Sequence, residues 1–150
     1  MLQRIISTNA GWFTLPIRVA VGVIFIAHGS QKVFGAFGGK GLVAWTHGTA
    51  PLGLQPAWLW LGLAAFSELI GGSLILLGLL TRVGSFLILC DMIVAVAGVH
   101  WGAFFAPAGI EYPGAMLAAA LALLISGGGE FSIDSGLMRS GPSRRKYVSR

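Results

Sequence analysis

Four stretches of mostly apolar residues divide the chain, at about residues 15–34, 58–80, 83–101 and 112–126, each bounded by Gly, Pro or charged positions. Crossing a hydrocarbon core of ~30 Å takes about 20 mostly apolar helical residues. The pattern therefore predicts an all-α integral membrane four-helix bundle. Pro16 falls in the opening turn of the first helix, where no amide donor is needed. Pro56 precedes the second helix, and Pro113 lies near the start of the fourth. The fourth stretch is short, so that helix is expected to begin within the preceding apolar loop or to sit in a locally thinned bilayer.

The segments between the helices differ in kind. Thr81-Arg82 reads as the whole link between the second and third helices, which makes those two a tight antiparallel hairpin. Residues 35–55 form a long Gly-rich connection whose centre, Leu42-Val43-Ala44-Trp45, is apolar enough for a short helix in the membrane interface. Residues 102–111 are likewise apolar, with Phe104 and Phe105. Both long links fall on one side of the membrane, where they are expected to fold back as a lid.

Cations set the orientation. Arg4, Arg18, Arg82 and the tail residues Arg139, Arg144, Arg145, Lys146 and Arg150 share one side, and Lys32 and Lys40 take the other. Positive charge stays inside, so the N-terminus and the C-terminus are both expected in the cytoplasm. Trp58, Trp60 and Trp101 then mark the outer interface as an aromatic belt. Residues 1–137 read as the membrane domain and 138–150 as a basic cytoplasmic tail. Arg18 interrupts the first apolar run and no small-x-small cleavage site follows it, so this segment is expected to stay in the mature chain. The first and third helices each carry a histidine near the outer end, His28 and His100, a likeness too short to establish a duplication.

Composition agrees with a lipid environment. Hydrophobic residues make up 55% of the 150 positions and charged residues 10%, against about a quarter charged in a soluble domain. The net charge of +5 is concentrated in the tail rather than on a basic face interleaved with aromatics, which speaks against nucleic acid as a partner. Such a tail meets anionic lipid heads, at about 1 kcal/mol per charge near the surface. The single cysteine, Cys90, has no partner for an internal disulfide and belongs to no Cys-x-x-Cys motif. It is expected to act as a small packing residue.

Ionisable groups inside a membrane helix cost a few kcal/mol each, so each needs a reason. The first helix holds Arg18, His28, Gln31 and Lys32, and the last three share one face. Glu68 lies mid-way along the second helix and Asp91 mid-way along the third, with His100 at the third helix's outer end. Counted from Leu15, His28 stands roughly 20 Å above the inner boundary, and Glu68 stands roughly 15 Å beneath the outer one. In a ~30 Å core these levels lie within about a turn of each other. A carboxylate facing an imidazole and an ammonium neutralises itself in low dielectric. The plain alternative is that the cluster only holds the helices together, as polar contacts and small residues such as Gly71, Gly72, Ser73 and Gly78 do in membrane bundles. Asp91 is expected to pair with Arg18 or with a backbone group.

Other chemistry finds little support. His28, His47 and His100 all fall on the outer half, but their spacing matches no metal-ligand motif, and no metal site is assigned. The chain has no phosphate loop, no dinucleotide fingerprint and no nucleophile elbow.

The residues singled out above resemble the pattern of the DoxX family. The resemblance rests on Arg18, on His28-Gly29-x-x-Lys32, and on Glu68 followed by Gly71-Gly72. Gly78-Leu79-Leu80-Thr81-Arg82, His100, and Gly127-x-Gly129-Glu130-x-Ser132-x-Asp134 extend it over about residues 16–137. It implies a four-helix, multi-pass subunit of the bacterial cytoplasmic (inner) membrane, of a kind labelled oxidoreductase, with one branch passing electrons from thiosulfate to quinone. By that resemblance the positions of interest are Arg18, His28, Lys32, Glu68, Arg82 and His100. The sequence has no redox cysteine pair and no evident haem ligation, so an electron carrier is a bound quinone or belongs to a partner.

Three functions stay open on the sequence. In the first, a quinone-linked redox subunit, His28, Lys32 and Glu68 are the catalytic candidates. His28 or Glu68 exchanges protons with a quinone oxygen and Lys32 stabilises developing negative charge; Arg18, Gln31, Asp91 and His100 are the cofactor-binding candidates. The second is a non-enzymatic scaffold for a soluble redox enzyme. The third is a small-solute or metal-ion carrier, which with only four helices requires a homo-oligomer.

Overall fold

A computed structural model of the chain describes residues 7–8, 11–105 and 107–140. Arg4 and the tail cations Arg144, Arg145, Lys146 and Arg150 lie outside the described residues. Within them the fold is all-helical, without strands. The helices are α1 (Thr14–Phe34), α2 (Gly41–Thr46), α3 (Ala57–Leu77), α4 (Thr81–Gly98), α5 (Glu111–Ser126) and α6 (Ile133–Ser140). α1, α3 and α4 are long and apolar enough to cross a membrane. α5 is apolar but has 16 residues, a length of about 24 Å.

α1 and α3 pack almost backbone to backbone because glycines line their seam. A Cβ on Gly29 would stand 2.5 Å from the Leu69 amide nitrogen, and one on Gly22 would stand 2.7 Å from Leu76 Cβ. α4 packs against α3 on one side and α5 on the other. The core gathers Val21 and Phe25 of α1, Ile75 of α3, Ile88 and Met92 of α4, and Ala120 and Leu123 of α5. The opposite faces carry exposed large apolar side chains, among them Val23, Phe66, Ile70, Phe86, Ile93 and Ile125. So much exposed apolar surface calls for lipid around the helices.

The two ends of the bundle are built differently. The α1–α3 connection and the α4–α5 connection meet at the loop end, where Pro51 and Leu52 pack on Gly98. The α3–α4 turn and the segment after α5 meet at the turn end. Here the sequence reading needs two corrections. α3 stops at Leu77 rather than at residue 80, because Gly78 adopts a left-handed conformation (φ 69°). Its N–H donates to Ile75 O (3.1 Å) and the N–H of Leu79 donates to Leu74 O (3.0 Å), the paired bonds of a glycine-terminated helix. The link is therefore residues 78–80, and Thr81-Arg82 open α4. α4 in turn ends at Gly98 under the covering loop, so His100 lies beyond the helix rather than closing it.

Arg18 organises the turn end. It is 2% exposed and donates to Ile75 O (3.0 Å), Leu76 O (3.0 Å), Gly128 O (2.8 Å) and Phe131 O (2.7 Å). These carbonyls belong to the last turn of α3 and to the segment after α5, groups that need donors once buried. Asp134 fastens the same corner, accepting from Leu80 N (2.7 Å), Thr81 N (2.9 Å) and Thr81 Oγ1 (2.9 Å). Arg82 donates to Leu124 O (2.7 Å) and Ser7 O (3.2 Å). α6, which starts at this corner, runs across residue 138, where the sequence pattern begins the tail.

Candidate functional site

At the loop end the polar residues converge instead of being spent on backbone. Lys32, in the last turn of α1, forms an ion pair with Glu68 of α3. The glycine seam makes this pair: with Gly29 seated on Leu69, the next turn of α1 stands beside Glu68. His28 precedes Lys32 by one turn on the same face, and Asp91 of α4 approaches from the other side of Glu68. Asp91 interacts electrostatically with Glu68, Lys32 and His28. Glu68 is 3% exposed; its second oxygen, Oε2, is buried, and the Asp91 carboxyl lies within hydrogen-bonding reach of the Glu68 side chain.

The loop cover completes the arrangement. α2 lays Trp45 over the cluster, with Lys32 Nζ 4.9 Å from the indole centroid. The indole N–H donates to Leu61 O (2.9 Å), which fixes the ring against α3. A desolvated ammonium over an indole face is attracted by about 2 kcal/mol. On the far side, Tyr112 at the start of α5 stands 6.3 Å from His28, ring centroid to ring centroid, with the planes tilted by 37°.

These groups occupy one wall of a cavity of about 780 Å³. The rest of its lining is largely apolar, including Phe25, Trp60, Leu63, Phe66, Ile70 and Leu87. Small-molecule sites fall at about 300–1,000 Å³ and combine an apolar wall with a few convergent polar groups. Among the described residues no three His, Cys, Asp or Glu side chains gather as a metal site.

Of the residues expected from the sequence, His28, Lys32, Glu68, Asp91 and His100 all line this cavity. Arg18 and Gln31 do not. Arg18 belongs to the clasp at the opposite end, so Asp91 does not pair with it; its charged neighbour is Asp134. Gln31 shares the His28–Lys32 stretch of α1, but its backbone lies under Gly39, away from the cavity lining. His100 Nδ1 lies 3.1 Å from Ala108 O and ties the α4–α5 loop. His47 Nδ1 lies 2.7 Å from Val43 O, outside the cavity lining.

The lining residues that sequence reasoning misses include Trp45, Ser67, Cys90 and Tyr112. Trp45 has a legible signal, an indole at the centre of an apolar loop, and Tyr112 has a weaker one beside Pro113. Cys90 is a correction. Expected as a packing residue, it is exposed and borders the cavity next to Asp91, because it faces the gap between α3 and α4 rather than the core.

The family model DoxX matches residues 13–101, from the start of α1 through the turn that follows α4. The chain belongs to the DoxX family. The DoxX match contains His28, Lys32, Trp45, Glu68, Asp91 and His100, so most of the polar wall lies within the family's own segment. Tyr112 and the corner residue Asp134 lie beyond it. Family membership and the three long apolar helices together make this a multi-pass membrane protein. Neither the curated proteins nor the solved structures give a match to the DoxX chain described here.

Proposed function

We propose that this DoxX-family chain is the membrane subunit of an oxidoreductase in the bacterial cytoplasmic membrane, and that it binds a quinone in the loop-end cavity. In this reading α5 makes a fourth crossing, and both termini lie in the cytoplasm. Arg18, Arg82 and Arg139 are at the turn end and Lys32 and Lys40 at the loop end, so the positive-inside rule puts the turn end in the cytoplasm. The observation that carries the functional reading is the convergence of Lys32, Glu68, Asp91 and His28 on one wall of an otherwise apolar cavity.

The residues present fit a quinone. The Glu68 carboxyl is buried and its Oε2 takes nothing from Lys32, so with its neighbour Asp91 it offers acceptors for the hydroxyl of a reduced quinone. Lys32, His28 and Tyr112 carry donors for the carbonyl of the oxidised ring. When bound, a quinone supplies electron transfer coupled to proton uptake. The chain's own part would be to hold the head through Lys32, Glu68, His28 and Tyr112, with Trp45 and the loops covering it, and to hold a proton. Charge counting shows why this set suits that task. Ammonium and imidazolium against two carboxylates is neutral, and so is ammonium against one carboxylate with the other protonated. A proton passed between His28 and the Glu68–Asp91 pair therefore creates no net charge in low dielectric, where net charge is expensive. Ionisable groups within membrane helices are the usual proton carriers of membrane proteins.

The test is chemical. Organic-solvent extraction of the purified chain is expected to release quinone, and titration with a short-tailed quinone is expected to quench Trp45 and Trp60 saturably, more weakly in Glu68→Gln. An extract without quinone, together with a flat titration, would sink the reading. Quinone binding with an electron-transfer rate indifferent to His28→Ala and Glu68→Ala would instead leave the chain a scaffold for a soluble redox enzyme.

A further inference from the structure

The cavity is not closed on every side. Phe66 and Ile70 of α3 line it and are 43% and 50% exposed on the outside of the helices. Cys90, facing them from α4, also lines it and is exposed. At this level the inside of the cavity is continuous with the surface that meets lipid.

Small residues cause the opening. Near the turn Gly71 and Gly84 let α3 and α4 touch: a Cβ on Gly84 would lie 2.8 Å from Gly71 O. Towards the loop end the facing positions carry larger side chains, Leu63 and Ser67 on α3 against Asp91 and Val94 on α4, and all four line the cavity. The hairpin is tightest at its glycines, and above them side chains of both helices border the cavity. The aqueous side, by contrast, is roofed by Trp45, Pro51 and Leu54.

We infer that the cavity is filled sideways from the bilayer, through a portal between α3 and α4 framed by Phe66, Ile70, Leu87 and Cys90. Its ligand is accordingly an amphiphile whose compact hydrogen-bonding head meets Glu68 and Lys32 while an apolar tail stays in the lipid. The inference rests on the quinone-binding reading and narrows it to tailed, membrane-dissolved carriers. The polarity gradient supports this: Glu68 is buried, while the exposed lining between α3 and α4 includes Phe66, Ile70 and Cys90.

The probe is a fully substituted benzoquinone, so that Cys90 cannot add to the ring, bearing a decyl tail with a terminal diazirine. The full chain in lipid nanodiscs is irradiated with the probe, with and without excess unlabelled decyl benzoquinone, and the adducts are mapped by mass spectrometry. Adducts on residues 66, 70, 87 or 90 that are lost on competition are the expected result. Competed adducts on Thr49, Pro51 or Leu54 instead would overturn the portal, with the tail running out under the loops, while leaving quinone binding in place. Adducts that no competitor removes would overturn both, since no specific site would then exist.

Discussion

Removing Lys32 leaves Glu68 and Asp91 facing each other without the ammonium that offsets them, and an uncompensated charge of this kind costs about 3–5 kcal/mol in a buried pair. Lys32→Met is therefore expected to lower stability by about 3 kcal/mol, and adding Glu68→Gln should recover most of that loss. Denaturation of the two variants in detergent checks the coupling; losses that simply add would show that the pair is not a unit. Arg18 makes a contrasting case. Its planar guanidinium reaches four carbonyls at once, and a compact ammonium cannot. Each buried carbonyl left without a donor costs about 1–3 kcal/mol, so Arg18→Lys should lower the melting temperature sharply. Quinone quenching of the folded fraction should not change, because the clasp and the cavity occupy opposite ends of the bundle. A parallel loss of affinity would contradict that separation.

Among the elements, the α1–α3 seam fixes the site and the α3–α4 hairpin carries the proposed portal. Gly29 has no room for a side chain against the Leu69 backbone, whereas a Cβ on Gly114 in α5 meets nothing within 4 Å. Gly29→Ala is thus expected to destabilise by about 1–3 kcal/mol through overpacking and to weaken quinone binding by moving Lys32 off Glu68. Gly114→Ala should stabilise by about 0.5–1 kcal/mol, the helix-interior cost of glycine. Unfolding curves of the two variants read the contrast, and equal effects would mean that the seam is not tight. The hairpin also shows where an apolar run misleads. Leu79 and Leu80 continue the hydrophobic pattern of α3, yet Gly78 ends the helix before them, because its left-handed conformation turns its own N–H and that of Leu79 onto the last carbonyls. Pattern alone reads the leucines as helix; the glycine that outweighs them is a single position.

For the whole molecule the decisive question is which side each end faces. With the turn end in the cytoplasm, alkaline phosphatase fused after residue 140 is expected to be inactive, and the same enzyme inserted at residue 48, in the loop cover, active. The reverse pattern would invert the proposed orientation and put the polar wall in the cytoplasmic half of the bilayer. Residue 107, in the α4–α5 loop, should report the same side as residue 48 if α5 makes a fourth crossing after it.

Apolar runs and their Gly and Pro borders were enough to mark the four longest apolar helices but not α6, because the demand for about 20 apolar residues per crossing is local and additive along the chain. The same reasoning found His28, Lys32, Glu68, Asp91 and His100, since ionisable groups inside apolar runs stand out by their cost alone. What those groups face was settled in three dimensions. Arg18 looks as conspicuous in sequence as Lys32, yet one is consumed by backbone carbonyls and the other meets a carboxylate. Gln31 lies on the expected stretch of α1 and still misses the cavity, and Cys90, in the middle of an apolar run, borders it. Burial cost is a property of one residue in one solvent and can be read from the chain. Partnership depends on how closely two helices approach, which here hangs on glycines far apart in sequence, and only the packed structure decides it.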